Sequence, residues 1–453
     1  MMKKQTKIIL YSSVSFLILL TGIFCIYVHG LKNPETIVLS ETQKQDFSKL
    51  CNELYPQALI KPLPYPVTPA QLEVNSGSAI LIDSKTGCIL YEKNADKIIP
   101  PASMTKLVVM YVVFQEIATG RISLDDIVPL PPEAWAINAP PQSSLMFLGE
   151  GQTVTLKELL LGLAIASGND AAIAVAHYVS GSVDKFIQRM NYEMQKLGLK
   201  HTRFVEPSGY SENNLTTPRE FAAFARKYIE TYPESLELFH SQKSISYPQE
   251  HNLAEWHRGQ GTEQPIFQSN TNKLLGLLPG CDGLKTGFIF ESGYNLSLTA
   301  KRNGTRFISV TMEGPGRGTV EGNKYRIIDG TTLMEWAFDC FATRPEEQID
   351  MFQIPVLEGK ENSLLIAPAY TEALTVPAII RGKTPQENAQ EVICTIQIPE
   401  YFVGPISAGK QIGTVTYSLQ GINLMQIPLV AVNSVDQGNF AKRMIDKLAK
   451  NFM

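Results

Sequence analysis

Three short runs in this chain place groups that could together activate a serine: Ser103-Met-Thr-Lys106, Ser167-Gly-Asn169 and Lys285-Thr-Gly287. A serine hydroxyl is a poor nucleophile at neutral pH and needs a neighbouring base. Lys106 follows Ser103 by three residues, so on a helix both side chains share one face, a turn apart. A lysine serves as that base only once it has lost its proton, which burial and a second cation both favour. Lys285 can provide the second cation. Ser167-Gly-Asn169 falls between two helical segments, where a glycine turn can push two polar side chains into a cleft. Gly287 suits a strand along which substrate lies, because a side chain there would block the approach.

The same triplets occur elsewhere with plain structural readings. Ser182-Val-Asp-Lys185 begins with a serine placed to cap a helix, Lys85-Thr-Gly87 supplies the turn of a hairpin, and Ser211-Glu-Asn213 sits in a polar loop. Context separates the sets. Ser103 follows Pro100-Pro-Ala102 and opens an apolar helix running through Val113, so its hydroxyl lies beside free backbone N–H groups and the positive end of the helix dipole. Apolar residues three and four apart predict further helices over 155–166, 170–180, 183–197 and 218–230, and another near 324–339. Residues 78–91 read as strand, turn, strand, and strands return at 294–301 and 306–312. Beyond about residue 342, short β-type runs alternate with Gly, Pro and Asn, which reads as a separate small β-domain.

Together the three motifs form the signature shared by penicillin-binding proteins and class A β-lactamases. From about Ser78 to Phe338 the chain resembles the D-alanyl-D-alanine carboxypeptidases, the low-molecular-mass penicillin-binding proteins. The likeness is carried by Pro101-Ala-Ser-Met-Thr-Lys106, Ser167-Gly-Asn-Asp-Ala171, Met190-Asn191, Leu197-Gly198, Asn270-Thr-Asn272 and Asp282-Gly-Leu-Lys-Thr-Gly287. It implies a β-lactamase/transpeptidase-like α/β (α+β) catalytic domain, an antiparallel sheet flanked by helices, followed by the small all-β domain. It implies that Ser103 attacks the carbonyl between two D-alanines of a peptidoglycan stem peptide, that Lys106 takes its proton, and that Ser167 relays a proton to the departing amine. Asn169 would hold the substrate amide. Lys285 would supply positive potential, Thr286 would bind the terminal carboxylate with help from Arg326, and the N–H groups of Ser103 and Phe288 would form the oxyanion hole. β-Lactam antibiotics would acylate the same serine. The chain departs from the family pattern at Phe288-Ile289, where His or Tyr and then Thr are common, at Ser292 in place of Ala, at Glu206 in place of Asn, and at Cys281 in place of Val.

Three other readings compete. A class A-like β-lactamase needs a carboxylate for the deacylating water; Glu212-Asn-Asn-Leu215 faintly matches E-x-x-L-N, but Thr216 replaces the last Asn. A D,D-endopeptidase would use the same chemistry on cross-links. A non-catalytic wall-binding protein with a relic site is disfavoured by three intact motifs.

The rest of the chain sets the compartment. Lys3, Lys4 and Lys7 precede an apolar run from Ile8 to Val28, the pattern of an export signal or a membrane anchor, so the body is expected on the extracytoplasmic side of the cell membrane. The run is long enough to span, while Val28-His29-Gly30 is a passable cleavage site. The expected organisation is a signal or anchor over 1–30, a stalk over 31–71 broken by Pro62, Pro64, Pro66 and Pro69, a catalytic domain over 72–341, a β-domain over 342–433 and a tail over 434–453. In that tail Phe440, Met444, Leu448 and Phe452 share one helical face, with Lys442, Lys447 and Lys450 elsewhere, as in a helix lying on an anionic membrane or docked on the β-domain. A formal net charge of -4 over 453 residues offers no basic face for nucleic acid. The six cysteines form no C-x-x-C pair, and setting aside Cys25 leaves an odd count, which argues against complete pairing. His177, His201, His240, His251 and His257 form no ligand-spaced cluster, so neither a metal nor a cofactor is expected.

Overall fold

Ser78–Asp83 is buried along its whole length. Ala79 and Leu81 join one apolar cluster with Leu298, Phe307 and Leu333, while Ile80 and Ile82 join another with Leu107, Val175 and Phe221. This is the two-residue period of an extended chain, and it makes the strand the middle of a sheet covered on both faces. The computed structural model describes residues 2–34, 36–67, 71–261 and 264–452, with side chains from Ser15 onward. Pro69 and the side chains of Lys3, Lys4 and Lys7 lie outside the described residues.

The central sheet contains β1 (Lys61–Pro62), β2 (Ser78–Asp83), β3 (Cys88–Lys93), β4 (Cys281–Ile289), β5 (Gly293–Arg302) and β6 (Thr305–Gly314), in the order β1-β3-β2-β6-β5-β4. Neighbours pair antiparallel except β1 with β3. The helix Thr319–Cys340 covers one face against β5 and β6, and Pro218–Thr231 lies on the other against β2 and β6. Beneath that second layer runs Thr105–Ala118, buried nearly throughout, with Tyr111 and Phe114 edge-on to Tyr228. The expected hairpin turn forms with Gly87 at φ 73, and Ser182 caps Val183–Lys196 by accepting the Lys185 N–H. An antiparallel sheet between helices is therefore observed, as expected.

Two compact units divide the chain: 58–344 with 375–390, and 1–57 with 345–374 and 391–453. This differs from the expected boundaries in three places. Thr375–Gln390 belongs with the central sheet, because buried Asp83 needs donors: it accepts from Thr343 Oγ1 at 2.9 Å, Thr375 Oγ1 at 2.9 Å and Lys85 N at 2.9 Å. Phe341–Arg344 is a strand of that same unit. The stretch expected as a stalk holds a helix, Glu41–Leu54, which begins with a capping box in which Ser40 and Gln43 satisfy each other's N–H groups. Its prolines fall outside 41–54, Pro34 ahead of the helix and the rest from Pro56 onward, so nothing breaks it. Its Phe47 and Cys51 rest on Ala369 and Val430 within the second unit.

That unit is built on a sheet ordered Ile393–Gln397, Gln411–Leu419, Ile422–Ala431, Ser363–Pro368, Phe352–Leu357, Phe402–Val403. It also holds the N-terminal helix Met2–Lys32 and the C-terminal helix Phe440–Ala449, capped by Asn439.

Candidate active site

Ser103 lies in a single 3-10 turn, Ala102–Met104, that feeds into the buried helix two residues later. The helix proper thus starts slightly after the serine, and Ala102 takes a left-handed φ of 51 to make the bend. Two glycines allow this turn to be packed tightly. A Cβ on Gly287 would stand 2.5 Å from the Pro101 carbonyl oxygen and 3.1 Å from Ser103 N, and one on Gly209 would stand 2.0 Å from the Ala102 carbonyl oxygen. Gly287, expected from sequence to admit substrate, makes its tightest contact with the turn that carries the serine.

Lys106 is fully buried, with Nζ 3.1 Å from Ser103 Oγ, 2.8 Å from Asn169 Oδ1 and against the Ser208 carbonyl oxygen. Burial drives its pKa down to about 7, against the opposing pull of Glu206 and then Asp170. From sequence Lys285 is expected to share in this depression; in the fold, loss of water is the dominant cause. Lys285 is also buried, and it is held well below its ordinary range by burial first, then by repulsion from Lys106 and Arg326. Behind it, buried His240 is pushed down to about 3 by burial and by Lys285, and contacts the Tyr228 hydroxyl at 2.9 Å through Nε2.

Ser167 turns the chain in the left-handed region, φ 60 and ψ 33, after a wide π turn over Gly162–Ala166, and Asn169 opens the next helix. The adjacent Asp170 accepts the N–H groups of Met146, Phe147 and Leu148 at 2.8–3.0 Å, tying the loop that carries Ser144 to this turn. Edge strand β4 forms the opposite wall. Its Thr286 Oγ1 bonds Thr271 Oγ1 at 2.7 Å. Arg326 sits behind the strand, with its guanidinium donating to the carbonyls of Asn295 and Gly287 and to Asn323 Oδ1, over the Tyr294 ring. Its donors serve the backbone of β4 and β5, and it lines a small pocket together with Thr271, Thr286 and Asn323. Phe288 stacks on Tyr294 with centroids 4.3 Å apart.

Between the walls is a cleft of about 440 Å³ lined by Ser103, Ser144, Asn169, Tyr210, Phe288 and Phe290 among others. The structure therefore gathers Ser103, Lys106, Asn169, Lys285 and Gly287 around one turn. Glu206, Asp170, Tyr210 and Phe290 were not singled out as site residues from sequence. Glu206 left a trace there as a departure from the family pattern. Ser211-Glu-Asn213 does lie in a loop, and that loop lines the cleft. Cys281 is a part-buried thiol that burial pushes up to about 11, too high to be a thiolate at neutral pH. All six cysteines are free. Among the described residues no His, Cys, Asp and Glu group could hold a metal.

A serine beside a buried lysine of low proton affinity, on a helix behind a covered sheet, defines a serine-type acyl-transfer hydrolase. Residues 65–316 match the D-alanyl-D-alanine carboxypeptidase family, and the chain belongs to it. Its relatives include D-alanyl-D-alanine carboxypeptidase DacF of Bacillus subtilis, 30% identical over 82% of this chain and 88% of that protein. DacC of Escherichia coli is 31% identical over 84% of this chain and 89% of its own length. The crystal structure of penicillin binding protein 5 from Haemophilus influenzae superposes with a TM-score of 0.67 at 30% identity, covering 82% of this chain and all of that one.

Proposed function

We propose that this carboxypeptidase removes the terminal D-alanine from peptidoglycan stem peptides through an acyl-enzyme on Ser103, and that β-lactams acylate the same oxygen. The carrying observation is the 3.1 Å contact between Lys106 Nζ and Ser103 Oγ. A neutral amine that gives its two hydrogens to Asn169 Oδ1 and the Ser208 carbonyl keeps its lone pair for the serine proton. Ser103 Oγ bonds to the carbonyl carbon between the two D-alanines as Lys106 takes that proton. The oxyanion faces the N–H groups of Ser103 and Phe288, an interaction whose loss costs about 3–4 kcal/mol in related chemistry. As the C–N bond breaks, the proton held by Lys106 passes through Ser167 to the leaving amine; water then attacks the ester, giving its proton to the freed Lys106, which returns it to Ser103 Oγ as the acyl group leaves. Asn169 Nδ2 is left to meet the substrate amide. Mutual repulsion in so dry a site disfavours charge on both lysines, so an incoming carboxylate at Thr286 restores charge to Lys285. Arg326 supports this wall through the Gly287 carbonyl.

Incubation with a pentapeptide ending in D-Ala-D-Ala should release D-alanine, and mass spectrometry should map a long-lived penicillin adduct to the Ser103 peptide. Ser103→Ala should lose both at an unchanged thermal midpoint. An adduct on the Ser182 peptide would sink the assignment. Fast penicillin turnover would indicate a β-lactamase, preference for cross-linked dimers an endopeptidase, and neither release nor label a wall-binding protein.

The protein belongs to the cell envelope, and we place it on the extracytoplasmic face of the membrane, held by an uncleaved N-terminal helix. Ser15–Lys32 is apolar enough to span, and Leu17, Ile18 and Ile26 are more than 60% exposed, as lipid contact requires. The lower end of the helix is bound into the β-rich unit. Leu31 is buried with Leu357 and Ala449, Phe24 meets Phe452 edge-on at 5.7 Å, and the Tyr27 hydroxyl donates to Asp446. Cleavage near His29 would remove Phe24 and Tyr27 from these partners. The exposed Phe440, Met444 and Leu448 then rest in the adjoining membrane surface. Intact-mass analysis of protein from membranes should find a chain beginning before Phe24; a start after Val28 would refute retention.

A further inference from the structure

Glu206 stands just ahead of the loop that closes over Lys106, and both its carboxylate oxygens are fully engaged. Oε2 accepts from the Ser208 N–H at 2.7 Å and hydroxyl at 2.5 Å, and Oε1 from Gly209 N at 2.7 Å, Ser211 N at 3.3 Å and Asn214 Nδ2 at 2.8 Å. Every partner is a donor, so the ionised, acceptor-only form is the one that fits. The loop so held delivers the Ser208 carbonyl to Lys106 and sets Gly209 against the turn carrying Ser103. It also presents Tyr210 and Ser211 to the cleft.

Charged groups face the Lys106 amine from three directions. Asp170 approaches from the Asn169–Ser180 helix, but its oxygens are committed to the backbone of residues 146–148. Lys285 approaches from β4, with Arg326 behind it. Glu206 approaches from the loop, and it opposes the effect of burial on Lys106 more strongly than Asp170 does.

We propose that Glu206 is a positioning residue for acylation: its carboxylate fixes the Ser208 carbonyl against Lys106, and its negative charge strengthens that buried amine as a base. A base works best when its proton affinity lies close to the operating pH. Without Glu206, burial would carry Lys106 further below that point and leave a weaker base. Glu206 holds it back. This rests on Lys106 being the base.

The test is the pH profile of acylation by a fluorescent penicillin in three variants of the full chain. Glu206→Gln keeps the length and removes the charge; its acid limb should move down by about one pH unit, with a lower plateau. Glu206→Asp keeps the charge and slackens the loop, so its limb should stay in place while the plateau falls. Should the Gln protein not fold, Glu206→Asn removes the same charge and is read the same way. A Gln or Asn profile that drops equally at every pH, with its limb unmoved, would make Glu206 a mere scaffold and overturn the proposal. Lys106→Ala separates the two claims, since labelling that kept the wild-type pH profile in that variant would refute Lys106 as base whatever Glu206 does.

Discussion

At the scale of single residues, the proposed chemistry depends on how little water reaches Lys106. With its pKa lowered to about 7 by burial, acylation by penicillin should rise through about pH 7 as the amine deprotonates, and fall away on the acid side. A stopped-flow profile whose acid limb lay near pH 5, or above pH 9, would contradict this. The same depression carries a stability signature. The unfolded chain holds that proton up to about pH 10.5, its ordinary value, while the folded chain releases it near 7. Between those limits the unfolded state binds more protons, so stability from this group rises with pH, and the burial penalty is complete below about 7. Lys106→Met does not titrate. Its thermal midpoint relative to wild type should therefore be more favourable at pH 6.5 than at pH 9.5, while labelling is lost at both. The Ser103 and Lys106 pair was legible in sequence because it is local, three residues apart where a turn runs into a helix. The group proposed to moderate the lysine was not: Glu206 lies a hundred residues away, and its bonds are made by a loop whose sequence shows no helix or strand period.

At the scale of elements, the site is a turn pressed between an edge strand and a loop. The 3.6 and 2 residue periods made most of the frame readable: Thr319–Cys340, Pro218–Thr231, β2, β5 and β6 all appear near their expected bounds. The misses are tertiary. The return of residues 375–390 answers the donor demand of buried Asp83, a need that no pattern in 375–390 reveals. The capping box before Glu41–Leu54 was visible as Ser40 and Gln43, yet the prolines downstream drew the whole segment toward a stalk. Packing of the Ser103 turn on β4 gives a sharp test. Gly287→Ala would put a methyl carbon 2.5 Å from the Pro101 carbonyl oxygen and 3.1 Å from Ser103 N, so turn and strand must part. A shift near 1 Å in reacting groups costs on the order of a hundredfold in rate. Penicillin acylation should fall by about that factor; a loss under threefold would show that β4 does not position the serine.

At the scale of the whole molecule, the N-terminal helix and the C-terminal helix meet on one buried carboxylate. Asp446 is fully buried and accepts from the Tyr27 hydroxyl, from Glu358 N at 2.6 Å and from Lys442 Nζ at 2.9 Å. Removing it strands three donors at once, and an unsatisfied buried donor costs about 1–3 kcal/mol. Asp446→Ala should therefore loosen Phe440–Ala449, read as faster trypsin cleavage at Lys442 and Arg443, without changing penicillin labelling. Tyr27→Phe removes one donor and leaves Asp446 two others, so its effect on that cleavage should be smaller but measurable. The pair of variants distinguishes a retained helix from a lost one. If the N-terminal segment is cut away near His29 in the mature protein, Tyr27→Phe changes nothing while Asp446→Ala still loosens the tail. If both speed cleavage in protein taken from membranes, the spanning helix remains in place and the C-terminal helix is clasped to it, so that one foot, built from both ends of the chain, seats the β-rich unit on the bilayer.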